Sequence, residues 1–339
     1  MAQLSLKEIR AKLLSTQNKE RTSSNDGASY PFWDIPEGDT AHLRFLPDGD
    51  NSNEYFWREM QKIKLKFAGI KGQNNKPVEI QVPCMEMWGE TCPILTEIRP
   101  WFKDNQLEDV ARSYWKKRSF LFQGFVRVNP IQEQNSPENP IRRFVINKTL
   151  YTTIHNGILD PDMEEIPTDY SHGTDFRITK GKKGQYADYS ASSYSRKTSP
   201  LTEEELQAIE THGLFNLNDF LPKKPDAETL NAIAEMFQAS VDGEAYDPDR
   251  WSKYYKPFGL KTDDNAQSSQ STGYTKPTES VKADDVADNT PPFDTDDSVA
   301  EESVSTPAAT VAATTSSDSG KKKTPQEMLA EIAARRAGN

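Results

Sequence analysis

The sequence predicts a mainly β body with α insertions, a small barrel of short strands followed by a long tail without a core. Three observations lead there. Two runs early in the chain alternate apolar and polar residues with a period of two between turn signals. The short strand-like runs are joined by irregular connections, without the strand and helix alternation of a doubly wound sheet. Everything after about Leu260 lacks the apolar content that a core requires.

Taken in order, residues 5–14 place Leu6, Ile9, Leu13 and Leu14 at helical spacing, with Lys7, Arg10 and Lys12 on the other side. Such a short amphipathic helix needs a surface to dock on, either this body or a neighbouring molecule. A polar, Gly-containing joint follows at 22–29. In GDTAHLRFLPDGD, Ala41, Leu43 and Phe45 alternate with His42 and Arg44, which predicts a half-buried strand. In EMQKIKLKFAGIKG, Ile63, Leu65 and Phe67 face one way and Lys62, Lys64 and Lys66 the other, so one face packs while the other presents ammonium groups. After KPVEIQVPCMEMWGETCPIL, residues 95–115 are expected to be helical or loop-rich. Strands are expected at 119–129 and 141–146, a short helix at 148–156, and a hairpin within 173–197 with its turn at 181–184. Two helices, at 202–211 and 227–238, close the body.

A chain of 339 residues can hold two average domains or one larger folded body with unfolded ends. A hydrophobic content of 35% and a mean hydropathy of -0.80 favour the second. The net charge of -11 is unevenly spread. Residues 261–320 carry 3 Lys against 12 Asp and Glu, whereas residues 58–148 carry 16 Lys and Arg against 10 Asp and Glu, a local excess of +6. A basic body joined to an acidic tail is the pattern of a polyanion binder whose tail competes, shields or recruits. The sequence has no apolar run long enough for a membrane helix, and its first residues lack the apolar stretch of a secretory signal. Two cysteines argue against a disulfide scaffold and for a reducing, intracellular setting.

The chemistry is concentrated in SYWKKRSFLFQGFVRVNP, which opens a strand with aromatics and three consecutive cations. Cations and aromatics recur together: Tyr114 and Trp115 with Lys116, Lys117 and Arg118; Arg142 and Arg143 with Phe144; Arg177, Lys180, Lys182 and Lys183 with Tyr186, Tyr189 and Tyr194. Cations neutralise phosphates, and exposed aromatic faces stack on unpaired bases for about 1–3 kcal/mol each. Duplexes hide their base faces, so the combination favours single strands. Phosphate-loop, zinc-protease and nucleophile-elbow motifs are absent, and the four histidines are scattered; the sequence predicts no enzyme.

PFWDIPEGDTAHLRFLPDGD, KKRSFLFQGFVRVNP, RRFVINKTLYTTI and GTDFRITKGKKGQYADYSASSY, in that order and spacing, resemble the T-even-type bacteriophage single-stranded DNA-binding, helix-destabilising proteins. The resemblance covers residues 32–195. It implies an OB-fold-like core with a basic cleft, cooperative self-association through a basic N-terminal segment (here Lys7, Arg10 and Lys12), and an acidic tail that recruits phage replication proteins. The implied setting is the cytoplasm of an infected bacterial host. By position, Lys116, Lys117 and Arg118 match the family's basic cluster, Phe120 falls on its stacking tyrosine, Lys148 on a cleft lysine, and Tyr186 and Tyr189 on aromatics of the last hairpin. Lys64, Tyr114, Arg142, Arg143, Lys180, Lys182 and Lys183 complete the expected nucleic-acid-binding set.

The sequence also departs from the family. Leu121 stands where the pattern has tryptophan. Of the family's zinc ligands, one His and three Cys, only Cys84 and Cys92 remain; Leu95 occupies the next ligand position and no histidine lies near Met60. Two ligands do not close a structural zinc site, so folding without a cofactor is expected, the alternative being a zinc site completed by remote ligands. The expected organisation is an N-terminal segment at 1–29 and a binding core at 30–260, with a zinc-subdomain-like insertion near 58–100. An acidic disordered tail at 261–320 and a basic, helix-prone peptide at 321–339 follow. An adaptor for acidic proteins, or an RNA-binding protein, is the alternative.

Overall fold

In the computed structural model, residues 27–73, 76–133, 137–257 and 260 are described. The expected N-terminal helix with Lys7, Arg10 and Lys12, the acidic stretch and the basic C-terminal peptide lie outside the described residues.

β4 (Lys117–Val128) organises the sheet. Its length lets it pair with three strands. β1 (Thr40–Leu46) and β2 (Arg58–Phe67) lie end to end along one side, β1 against residues 123–128 and β2 against 117–121, while β5 (Arg142–Asn147) takes the other side. β3 (Val78–Pro83) extends the sheet beyond β2; β6 (Thr174–Thr179) and β9 (Ser193–Thr198) extend it beyond β1. These pairings are all antiparallel. β1 and β4 approach so closely at the Phe45–Gly124 register that a Cβ on Gly124 would lie 2.1 Å from the Arg44 carbonyl oxygen. Only glycine fits there.

The predicted barrel is corrected to an open sheet, because among the described residues no pairing joins its ends. One edge is covered instead of closed. Residues 28–30 run along β5, with the Tyr30 N–H donating to the Arg143 carbonyl at 2.9 Å and the Arg143 N–H to that of Ala28 at 2.6 Å. Covering an edge in this way removes a template for pairing with other chains.

Both faces of β4 are buried. Phe120 and Phe122 join Leu43, Phe45, Phe144, Ile146 and Phe176 in one core, roofed by α3 (Lys148–Ile158). Phe45 sits at its centre, 4.9 Å from Phe122 and 5.9 Å from Phe176 between ring centroids. On the reverse face, Leu121 and Phe125 meet Leu201, Leu217 and the chain following α4 (Glu203–His212). β1 is also buried on both sides, where a half-buried strand was expected. The reason is Arg44, which is fully buried and donates to the backbone carbonyls of Pro167, Asp169 and Thr174, so a charge replaces the anticipated solvent contact.

A second core lies beneath the outer half of β2. Ile63, Leu65, Phe67, Ile80 and Val82 pack against α1 (Pro93–Ile98), α2 (Glu108–Tyr114), α5 (Ala227–Val241) and α6 (Pro248–Trp251). α5 begins where Asp226 accepts a hydrogen bond from the Thr229 N–H at 2.8 Å. Ser240 ties it to β2, accepting from the Lys66 N–H and donating to the Lys66 carbonyl. The insertion near 58–100 is thus completed by helices from far downstream. The expected hairpin is more elaborate than its sequence suggests: β6 pairs with β9, and between them β7 (Gly181–Lys183) and β8 (Tyr186–Asp188) form a separate ribbon turning at Gly184, whose φ is 66°. The turn lies at the end of the 181–184 window because only Gly184 there adopts a left-handed conformation.

Candidate nucleic-acid interface

α3 follows β5 directly, started by Asn147, whose side chain accepts from the Leu150 N–H at 2.9 Å. The cap fixes the helix so that Tyr151 lies flat on Phe120, with ring centroids 3.5 Å apart and planes within 6°. Trp57 meets Tyr151 edge-on at 5.6 Å, and Tyr55 lies 4.9 Å from Trp57. His155 extends the group at 5.8 Å from Tyr151. These rings form a row that begins in the core at Phe120 and Phe122, passes through half-buried Tyr151 and Trp57, and ends at Tyr55, which is 59% exposed. Burial, followed by the Glu59 charge, pushes the Tyr151 hydroxyl pKa up, so it stays a neutral ring at ordinary pH.

Arg118 flanks this row. Arg118 lies over the Phe120 ring at 5.6 Å and is held by both carboxylate oxygens of Glu59, at 2.6 and 2.8 Å. Lys116 pairs with Glu86 at 2.6 Å, a carboxylate that also receives Arg99 at 2.8 Å. Lys117, between them in sequence, projects from the opposite face of the strand. Lys148 opens α3 next to Asn147. Lys64, on the outer part of β2, stands 3.8 Å from Glu79.

The β7–β8 ribbon carries the other cluster. Lys182, Lys183 and Tyr186 are exposed there, with Lys182 3.6 Å from Glu37. Lys180 donates to the Trp33 carbonyl at 2.6 Å, and Tyr189 packs edge-on against Phe32 at 5.6 Å, which fastens the ribbon to the turn before β1.

Several expected contact residues are placed elsewhere. Tyr114 is buried in the second core, with its hydroxyl 2.9 Å from Ser240 Oγ. Phe120 is 1% exposed, its face covered by Tyr151, so it supports the outer rings instead of meeting a base itself. Arg142 is buried over Tyr30 and held bidentately by Glu133 at 2.9 Å. Arg143 lies between Phe215 and Phe220, 3.8 Å from the second ring centroid. Tyr194 packs on Phe176 at 5.0 Å, and burial pushes its hydroxyl pKa up. In each case the sheet's second layer, invisible in local sequence, covers the side chain.

Tyr55, Trp57 and Tyr151 were missed by sequence reasoning. Their signal was present in EYFWRE, three consecutive aromatics between charges beside a turn, and in Tyr151 three residues after Lys148.

Cys84 and Cys92 are buried and unbridged. Their thiols hydrogen-bond to each other, which pushes Cys84 up and Cys92 down. No group of three or more potential metal-ligating side chains occurs among the described residues. Two thiols do not fit the four-donor zinc site of the resembling family. No described helix is long and apolar enough to cross a membrane. No family model matches the chain, and no curated protein is significantly similar to it.

Proposed function

We propose that the protein binds single-stranded DNA without sequence preference, coating and protecting it during bacteriophage DNA replication, recombination and repair. The observation that carries this reading is the aromatic row Tyr151–Trp57–Tyr55, opening to solvent beside Arg118. Flat rings accept any unpaired base, and the cations beside them accept any phosphate, so the pair of features has an affinity for strands and little for sequence. The exposed Lys182, Lys183 and Tyr186 supply a second contact of the same kind. On this reading the open antiparallel sheet is an OB-fold-like scaffold, the N-terminal segment mediates cooperative self-association, and the acidic tail recruits replication proteins. The protein has no catalytic role.

Intrinsic tryptophan fluorescence reports on the site directly, because Trp57 is part of it. Titration with oligo-dT at two salt concentrations, with duplex of equal length as control, is expected to give quenching, strong salt dependence and preference for the single strand. Absence of binding at low salt overturns the reading. Oligo-U in parallel separates a general strand binder from one that reads the 2′-hydroxyl.

A further inference from the structure

Lys62 and Lys117 are directly paired across the β2–β4 ladder. Paired residues share a face and hold their Cβ atoms about 5 Å apart, a placement that is destabilising for like charges. The face is the one opposite Arg118 and Phe120. Three neighbouring cations each have an acid: Lys116 has Glu86, Arg118 has Glu59, and Lys64 has Glu79. Among the described residues, neither Lys62 nor Lys117 has a carboxylate within ion-pair distance. Both are half-buried, and burial alone pushes the Lys62 ammonium pKa down. Two lysines thus leave paired positions on one face, partly out of water, with no carboxylate within ion-pair distance among the described residues.

The rim of the sheet beside them is open. β5 pairs with β4 only from Ser119 onward, so residues 117 and 118 have no β5 partner on that side. A strand whose bases rest on the aromatic row can pass over this rim and present its backbone to the reverse face.

We propose that Lys62 and Lys117 form a clamp for a phosphodiester group of the bound strand, on the face of the sheet turned away from the aromatic row. The inference rests on the single-strand reading and deepens it: the nucleic acid is gripped on both faces of one sheet, with Lys116 and Arg118 at the crossing point. The clamp recognises phosphate alone, so it adds affinity without adding sequence preference.

The test is the salt dependence of oligo-dT binding by the full chain, for the parent, Lys62→Gln/Lys117→Gln and Lys62→Arg/Lys117→Arg. Loss of two phosphate contacts is expected to flatten the slope of log K against log salt by about 1.4, at about 0.7 per contact on single strands. Fluorescence quenching at saturation should persist, since the aromatic row is intact. The arginine pair should keep the parental slope. A glutamine variant with parental slope and affinity overturns the clamp while leaving the single-strand reading standing. If the parent itself ignores oligo-dT, the single-strand reading fails and the clamp is judged by inorganic tripolyphosphate. A rise in the parental melting temperature that is absent from the glutamine pair supports a phosphate site, and no rise overturns it. The glutamine pair should melt no lower than the parent, because at position 62 the substitution removes a charge that burial disfavours.

Discussion

Arg118 and Glu59 form a two-bond ion pair across the β2–β4 ladder, at 2.6 and 2.8 Å, beside the Phe120 ring. On the proposed function, Glu59 occupies the guanidinium that a phosphate would take, and so acts as an internal competitor. Glu59→Gln keeps the shape and removes the charge. Binding of oligo-dT should tighten by roughly threefold at low salt, an effect of the size expected for a partly exposed pair. Unchanged affinity would mark Arg118 as structural.

The stacked pair Phe120–Tyr151 separates stability from binding. Tyr151→Ala removes a half-buried ring of the proposed platform and should weaken oligo-dT binding by about 1–3 kcal/mol. Phe120→Ala empties a buried site and should cost the fold about 3–5 kcal/mol. Urea unfolding together with fluorescence titration measures both quantities. If Tyr151→Ala binds like the parent, the row is packing only.

Arg127 joins two carboxylates, donating to Glu205 at 2.9 and 2.7 Å and to Asp175 at 2.9 Å, with all three side chains mostly buried. For Glu205, burial raises the pKa, but the Arg127 hydrogen bond, the Thr202 N–H and the Arg127 charge outweigh it and hold the group below its ordinary value. Its contribution is therefore present above pH 4.5 and is lost as pH falls through the folded value. Asp175 behaves oppositely: burial, only partly offset by Arg127 and Arg44, holds it above its ordinary value, so its contribution favours the fold at low pH and fades as pH rises. Arg127→Met leaves both acids facing burial without this cation. It should cost about 3–5 kcal/mol at pH 7. Part of that loss should return as the pH is lowered toward 5, with urea midpoints rising relative to the parent's. A variant whose deficit is constant with pH would show that the carboxylates are not the source.

Gly157 lies in α3 against Tyr194 of β9, and a Cβ there would stand 2.5 Å from Tyr194 Cδ2. Alanine ordinarily gains about 1 kcal/mol over glycine inside a helix. Here overpacking, at about 1–3 kcal/mol, opposes that gain, and the contact is short enough that it should prevail. Thermal melting of Gly157→Ala should show a loss. Tyr194→Phe should be neutral or stabilising, because the Tyr194 hydroxyl is buried with no hydrogen-bond partner among the described residues.

Periodicity made the strands legible. The alternation of Ile63, Leu65 and Phe67 with three lysines placed β2 and its two faces correctly, and the strand, strand and helix succession from 117 to 158 matched within a few residues. Layering was not legible. Arg142 and Arg143 read as surface cations because their covers, Glu133 and the rings of Phe215 and Phe220, lie outside the strand that carries them. The same holds for the acids: Glu59 and Glu86 precede Arg118 and Lys116 by 59 and 30 residues, so nothing near the basic cluster revealed that it is partly neutralised. Arg44 was the sharpest departure, since a lone charge in an alternating strand signals solvent unless three backbone carbonyls converge on it from residues 167–174.

The order of strands in the sheet also sets a schedule for the ribosome. β1 leaves the ribosome early, yet its partners are β4 and β6, and Thr40 pairs with Thr179. At about 5–20 residues per second, synthesis of the intervening chain takes on the order of ten seconds, during which Leu43 and Phe45 have no sheet to enter. The nascent chain thus carries unpartnered apolar residues for that interval, and its yield in cells is expected to depend on chaperone capacity more steeply than its final stability alone implies.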